Sequence, residues 1–193
     1  MVSVIGIVGP IGSGKDTAAD YIAEKYGYRI FSFRDAVREE VEKRGLEQNR
    51  ENMQKVSREM RDTKGEDVFS RMILNKIIET KCGKAIVKEI RTSGDLKPIR
   101  DHFRGSMKII KVTATEKIRY ERMKERSRTG DPFSLEEFQQ QEQREEELGY
   151  TKAFNFCDFV IPNNGTKEEL YKKIDEIMSR LQEDKSLFRR RLL

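Results

Sequence analysis

The chain has 193 residues, of which 38% are charged and 36% hydrophobic, and its formal net charge is +5. This length suits one domain with a sizeable core. Two cysteines are too few for a disulfide framework and indicate a reducing compartment. No apolar run is long enough to span a membrane, and the apolar start lacks a basic segment and a cleavage site, so we expect a cytoplasmic protein without a signal peptide.

Strand patterns and helix patterns alternate along the chain. Short apolar strand patterns occur at residues 2–9, 28–33, 84–90, 107–114 and 159–165. Helical spacing occurs at residues 18–26, 35–45, 49–81, 115–127 and 166–181, and Ser134 and Thr166 each open a capping box, the first at the start of a polar helix. This alternation predicts a parallel sheet covered by helices on both faces.

The segment GPIGSGKDT, residues 9–17, lies between the first strand and the first helix. It nearly matches the phosphate-binding pattern of Gly, four residues, Gly, Lys and then Ser or Thr. In such a loop, glycines let backbone N–H groups face the phosphates, and the helix N-terminus adds positive potential. We therefore expect the loop to bind ATP through Gly9, Gly12, Ser13, Gly14, Lys15, Asp16 and Thr17.

The loop departs from the usual pattern in that Asp16 follows Lys15 and the hydroxyl of Thr17 comes one place late. Mg²⁺ prefers oxygen ligands and often takes carboxylates, so Asp16 or Thr17 is expected to hold it. Alternatively, Asp16 only stabilises the first turn of the helix, where acidic side chains are favoured.

Three polar residues follow predicted strands at the edge of the sheet where ligands bind in open α/β folds. Asp35 and Arg38 follow the second strand, and Arg91 follows the third. Because a guanidinium bonds two oxygens at once, these arginines indicate an anionic second ligand. For Arg38, a solvated helix charge is the alternative interpretation.

A later helix carries further arginines. Arg122 and Arg126 are four residues apart and share a face, and Arg128 follows shortly after. Such a face would stack on a base and contact transferring phosphates. A solvated helix is again the alternative. Acidic and basic residues alternate elsewhere, so we do not expect a nucleic-acid surface.

Six segments, in order, resemble an archaeal-type group of P-loop kinases similar to adenylate kinase and dephospho-CoA kinase. They are GPIGSGKDT, FRDAVREE, RENMQKVSREMRDTKGED, EIRTSGDL, RYERMKERSRTGDP and NNGTKEEL. The resemblance implies that Asp35 and Arg38 bind the acceptor's phosphate, although Arg34 replaces a glycine of that motif. It also implies an adenine contact for Arg122 and a phosphate contact for Arg126.

One further segment departs from the related pattern. Lys88 and Glu89 stand where that pattern has Asp-Gly before a hydrophobic residue and Arg91. If a second acid near Mg²⁺ is needed, Glu89 is the candidate, whereas Lys88 would help to bind an anion.

These observations predict a three-layer α/β/α P-loop NTPase fold with a mostly five-stranded parallel sheet. We expect one kinase domain over residues 1–185, with an acceptor-binding insertion at about 35–80, a lid at about 120–148, and a basic tail at 186–193. The predicted catalytic residues are Lys15, Arg38, Arg91 and Arg126. The predicted acceptor-binding residues are Asp35, Arg38, Arg91 and Arg128.

The expected reaction is transfer of phosphate from ATP, with Mg²⁺, to a small acceptor, first of all a nucleoside or deoxynucleoside monophosphate. One alternative is transfer to a hydroxyl, as in a dephospho-CoA kinase, with Asp35 as the base. Another is a regulatory protein that binds nucleotide without turnover. We expect no nucleic-acid or membrane partner.

Overall fold

A five-stranded sheet organises the protein. The structure, a computed structural model, describes residues 3–90, 93–126, 134–147 and 157–190, with residues 93 and 184–190 described by their backbone alone. The strands are β1 (Ser3–Val8), β2 (Arg29–Ser32), β3 (Lys84–Lys88), β4 (Met107–Thr113) and β5 (Phe159–Pro162). The helices are α1 (Lys15–Tyr26), α2 (Phe33–Lys43), α3 (Arg50–Lys64), α4 (Val68–Glu79), α5 (Ser93–His102), α6 (Glu116–Arg126), α7 (Leu135–Glu147) and α8 (Lys167–Arg190).

All strand pairs are parallel, in the order β2-β3-β1-β4-β5. The chain first moves outward from β1 to β2, then inserts β3 beside β1, and then crosses to β4 on the other side of β1. The carboxyl end of β1 is therefore a topological switch point, where ligands bind in open α/β sheets. The loop 9–17 begins at this point.

The core lies on both faces of the sheet, because successive residues of a strand point to opposite faces. Val4 and Val8 belong to a buried cluster with α4, which includes Phe69. Ile5 and Ile7 belong to a second cluster with α1 and α8. The predicted three-layer α/β/α fold is thus confirmed, and burial on both faces explains why β1 is almost continuously apolar.

Several element boundaries depend on caps. α2 begins at Phe33, two residues before the predicted start, because the Ser32 hydroxyl accepts the N–H of Asp35 at 3.2 Å. The two predicted capping residues act as expected: Ser134 Oγ accepts the N–H of Glu137 at 3.1 Å, and Thr166 Oγ1 accepts that of Glu169 at 3.3 Å.

Two segments differ from, or extend, the sequence-based elements. α5 was not predicted, since Pro98 lies inside it and interrupts a helical pattern. The backbone of α8 continues to Arg190, into the predicted basic tail. None of the described helices combines the length and the apolar character that crossing a membrane requires.

Candidate functional site: a phosphate loop between two anchoring side chains

The glycines of the loop have conformations and neighbours that exclude a side chain. Gly12 and Gly14 have φ angles of 75° and 91°, in the left-handed region that favours glycine. A Cβ on Gly12 would lie 2.6 Å from the backbone oxygen of Arg119, and one on Gly14 would collide with the Asn163 amide. The loop therefore packs directly against α6 on one side and the end of β5 on the other.

Asn163 fixes the second half of the loop. Its buried side-chain amide donates to the carbonyl of Ser13 at 2.8 Å. The guanidinium of Arg122 donates in turn to the carbonyls of Asn163 and Gly165, at 2.9 and 3.1 Å. Arg122, the predicted adenine contact, thus holds the segment that supports the phosphate loop, with its guanidinium beside that segment's backbone.

Arg119 fixes the first half of the loop. Its side chain is 9% exposed. It donates to the carbonyl of Ile11 at 3.2 Å and to that of Ala114 at 3.1 Å. The same guanidinium forms a bidentate ion pair with Glu142 of α7, and it lies 5.3 Å from the ring centroid of Phe138. Within the described part of the predicted lid, α7 is therefore joined to the loop through one side chain.

Lys15 is the first residue of α1 and lies over the loop. Its ammonium donates to the carbonyl of Pro10 at 3.4 Å. Burial lowers the pKa of Lys15 below its ordinary value, although the carboxylates of Asp16, Glu145 and Glu89 act in the opposite direction. A partly desolvated ammonium at a helix N-terminus favours an added anion, as a phosphate-binding lysine requires.

The hydroxyl of Ser13 is a further polar group of the loop. Among the described residues, Ser13 Oγ is buried and makes no hydrogen bond. Buried hydroxyls are nearly always hydrogen-bonded, so this atom fits a loop shaped for an oxygen-rich ligand. Together with the left-handed glycines and Lys15, it fits the phosphates of a nucleotide.

Asp16 and Thr17, the predicted metal ligands, are both half-buried at the start of α1. Within the described ranges, no group of three or more His, Cys, Asp or Glu side chains is arranged for a metal ion. A Mg²⁺ ion in a nucleotide site needs only one or two protein oxygens, because phosphates and waters supply the rest. The Asp16 carboxylate, however, faces Lys88, whose Nζ lies 3.6 Å from Asp16 Oδ1.

Glu89 has a conformation that its residue type disfavours. Its φ is 62°, in the left-handed region, at the position where the related pattern has glycine. Its carboxylate accepts from the Ser32 hydroxyl and, at 3.2 Å, from the N–H of Arg34, and it lies 3.1 Å from Arg34 Nε. Through these hydrogen bonds and this ion pair, Glu89 connects the end of β3 to the start of α2.

The predicted acceptor-binding residues lie at the end of β2. Asp35 and Arg38 form an ion pair at 3.2 Å, with side chains 57% and 46% exposed. Arg126, at the end of α6, is exposed, and its charge lowers the pKa of Lys15. Arg91 and Arg128 lie outside the described residues, so their predicted roles remain predictions.

Sequence reasoning missed two charged side chains that the structure buries. Arg119 was grouped with the other arginines of its helix, although it is buried. Asp95 of α5 is also buried and pairs with Arg61 of α3 at 3.0 Å. Spacing gave one usable signal: Leu96, Ile99 and Phe103 repeat at helical intervals and are all buried, so α5 was detectable despite Pro98.

The comparisons with known proteins agree with this geometry. A family model described as an AAA domain matches residues 8–139. By fold, the chain aligns with shikimate kinase from Acinetobacter baumannii in complex with shikimate (TM-score 0.53, 16% identity, 93% of this chain and 94% of that one). It also aligns with a gluconokinase from Sinorhizobium meliloti 1021 (TM-score 0.52, 13% identity, 96% of each chain). Fold and loop together define a P-loop kinase-like protein.

Relatives with higher sequence identity show the family to which the chain belongs. A UPF0200 protein of Pyrococcus horikoshii is 30% identical over 181 residues, which cover 92% of this chain and 97% of the relative. A UPF0200/UPF0201 protein of Archaeoglobus fulgidus is 35% identical over 182 residues, 93% of this chain but 56% of the longer relative. The chain belongs to the UPF0200 family, and the resemblance to a P-loop kinase-like family is confirmed.

Proposed function

We propose that the protein transfers a phosphoryl group from ATP, in the presence of Mg²⁺, to a small acceptor bound at the carboxyl edge of the sheet. The first candidate acceptor is a nucleoside or deoxynucleoside monophosphate. One observation carries the proposal: a glycine loop at the switch point, anchored by Asn163 and Arg119, with Lys15 at the start of the following helix.

On the donor side, the loop amides and Lys15 bind the outer phosphates, and Asp16 or Thr17 holds Mg²⁺. When bound, Mg²⁺ neutralises phosphate charge during transfer. Arg122 lies against the loop that follows β5, where it would border an adenine. Arg126 contributes positive charge near Lys15, which suits a transferring phosphate.

On the acceptor side, Asp35 and Arg38 follow β2, which is separated from β1 by β3 alone. Two strand spacings of about 4.8 Å place the ends of β1 and β2 about 10 Å apart. That distance accommodates a second anion in line with the donor phosphates. The acceptor roles of Arg91 and Arg128 are part of this proposal on sequence grounds. A phosphate acceptor is already ionised and needs no strong base.

A hydroxyl acceptor is the alternative, and the position of Asp35 favours it. Its carboxylate is 57% exposed at the edge where an acceptor would bind, so it is available as a base. The solved structures named shikimate kinase and gluconokinase share this fold. Dephospho-CoA is the hydroxyl acceptor to test first.

The test is ADP formation from ATP and Mg²⁺ with a panel of acceptors: AMP, dAMP, CMP, dCMP, GMP, UMP, dTMP and dephospho-CoA. We expect one nucleotide to raise the rate at least tenfold above acceptor-free hydrolysis. Lys15→Met should abolish that increment. Lys108→Met is the control for loss of a lysine charge, since Lys108 pairs with Asp158 at 3.3 Å and lies beside Ile5 of β1, away from the end of the strand where the loop begins.

The outcomes separate the candidates. A rate increase with dephospho-CoA alone would support the hydroxyl alternative. Equal rates with every acceptor, together with tight ATP binding, would contradict the kinase proposal and favour a nucleotide-binding regulatory protein.

A further inference from the structure

The end of β3 brings a lysine to the phosphate loop. Lys88 is the last residue of β3, and its register partner on β1 is Ile7, two residues before Gly9. Its ammonium lies 3.6 Å from the Asp16 carboxylate. The pair therefore spans from the central strands to the first turn of α1.

Among the residues that the structure describes, Lys88 forms its ion pair with Asp16. The carboxylate of the neighbouring acid, Glu89, is held by Ser32 and Arg34. The Lys88 and Asp16 side chains are 23% and 41% exposed, so a hydrated cation or a nucleotide can reach the carboxylate without unfolding of the site.

Resting on the proposed function, we propose that Lys88 and a divalent cation are alternative partners of Asp16. Two positive charges at one carboxylate repel each other, so binding of the cation displaces Lys88. While Lys88 holds Asp16, the acid is neutralised, and the loop accepts a nucleotide that carries no metal. Lys88 thereby sets how strongly nucleotide binding depends on Mg²⁺.

Removal of each partner has a distinct consequence. Without Lys88, Asp16 stays unpaired beside the phosphates, which weakens metal-free binding, while the cation no longer competes for the carboxylate. Without Asp16, the cation loses its protein carboxylate, and Lys88 has nothing to neutralise. The effect of Lys88 therefore requires Asp16.

The measurement is the Kd of ADP by titration calorimetry, in EDTA and in MgCl₂, which needs no turnover. The Kd in EDTA divided by the Kd in MgCl₂ expresses how strongly binding depends on the metal. We expect Lys88→Met to raise this ratio about tenfold over the native chain and Asp16→Asn to bring it close to one. The double variant should match Asp16→Asn, and Lys108→Met should match the native chain.

A simple phosphate contact by Lys88 predicts another pattern. Lys88→Met would then weaken ADP binding by the same factor in both buffers and leave the ratio unchanged, which would overturn the proposal. An effect of Lys88→Met that persists in the Asp16→Asn background would overturn it as well. Lys88→Gln repeats the test should the methionine variant lose its native circular dichroism.

Failure of the proposed function would look different. If the native chain binds ADP in neither buffer, the proposed nucleotide site is contradicted, and so is the inference about Lys88. If ADP binds but the ratio is indifferent to Lys88, the nucleotide site stands and only this inference is lost.

Discussion

The two sides of the proposed site are built differently. On the donor side, the loop is held by buried side chains that donate to backbone carbonyls: Asn163 to Ser13, and Arg119 to Ile11. On the acceptor side, Asp35 and Arg38 pair with each other at the surface, and more than two fifths of each side chain is exposed. One side is fixed by packing, and the other is open to solvent and ions.

This difference has an energetic consequence. Buried hydrogen bonds and ion pairs are costly to break, because the remaining partner is left unsatisfied. Exposed ion pairs contribute little to stability. Substitutions on the donor side should therefore damage folding and binding together, whereas substitutions on the acceptor side should affect function alone.

The largest expected effect is at Gly12. Gly12→Ala adds a Cβ against the backbone of Arg119 at a φ of 75°, so backbone strain and steric overlap add up to about 2 to 5 kcal/mol of lost stability. Urea unfolding measures the loss. Two glycines with nothing within 4 Å are controls: Gly27→Ala, at a φ of 70°, isolates the strain, and Gly83→Ala, where that strain is absent, should be nearly neutral. Equal losses at Gly12 and Gly27 would show that the contact with α6 is unimportant.

The next largest loss of stability is expected on substitution of Arg119. Arg119→Met removes the bidentate partner of Glu142 and two donors to backbone carbonyls. We expect a loss of about 3 kcal/mol in the free energy of unfolding, with weaker ATP binding because Ile11 O is no longer held. Arg119→Lys should not restore either property, since an ammonium lacks the planar fork.

The control for Arg119 is an exposed pair. Lys97 and Asp101 lie 2.9 Å apart with side chains 77% and 50% exposed, so Lys97→Met should change stability by less than about 0.5 kcal/mol. Similar losses for the two variants would remove the distinction between the buried donor side and the exposed surface.

Glu89 lies between the donor side and the acceptor side, and substitutions there should change stability less than those at Gly12 and Arg119. Glu89→Ala and Glu89→Gly lose the same contacts, but glycine relieves the left-handed strain at a φ of 62°. The glycine variant should be more stable than the alanine variant by about 0.5 to 1 kcal/mol in urea unfolding. At Glu176, exposed within α8, the order should reverse, since glycine weakens a helix. The same order at both positions would rule out strain at Glu89.

Local patterns were enough to predict most of the fold. Apolar runs, capping residues and the glycine loop are signals contained in a few neighbouring residues, so the strands, most helices and the position of Lys15 follow from the sequence. The strand order does not follow, because it depends on which distant segments pack together. The insertion of β3 between β1 and β2 is the feature that brings Lys88 to Asp16.

It was harder to predict from the sequence which charged side chains of the site are buried. Arg119 and Arg122 lie on one helix and resemble each other in the sequence, yet one is buried against the loop and α7 while the other binds the segment after β5. A charged residue is usually exposed, so composition gives no reason to expect a buried arginine. Asn163 is a similar case: it follows a strand pattern in the sequence, and only the fold revealed its bond to Ser13.

The smallest expected change in stability is at Arg38, where function should respond most selectively. Arg38→Ala breaks an exposed pair with Asp35, so the free energy of unfolding should change by less than about 0.5 kcal/mol. If Arg38 binds the acceptor's phosphate, the KM for the acceptor should rise at least tenfold while that for ATP stays within twofold. Arg44→Ala is the control, because Arg44 forms ion pairs with Glu40 and Glu59 just beyond the other end of α2 and should leave both KM values unchanged. A rise in the KM for ATP, or a loss of stability like that at Arg119, would place Arg38 in the packed donor side instead.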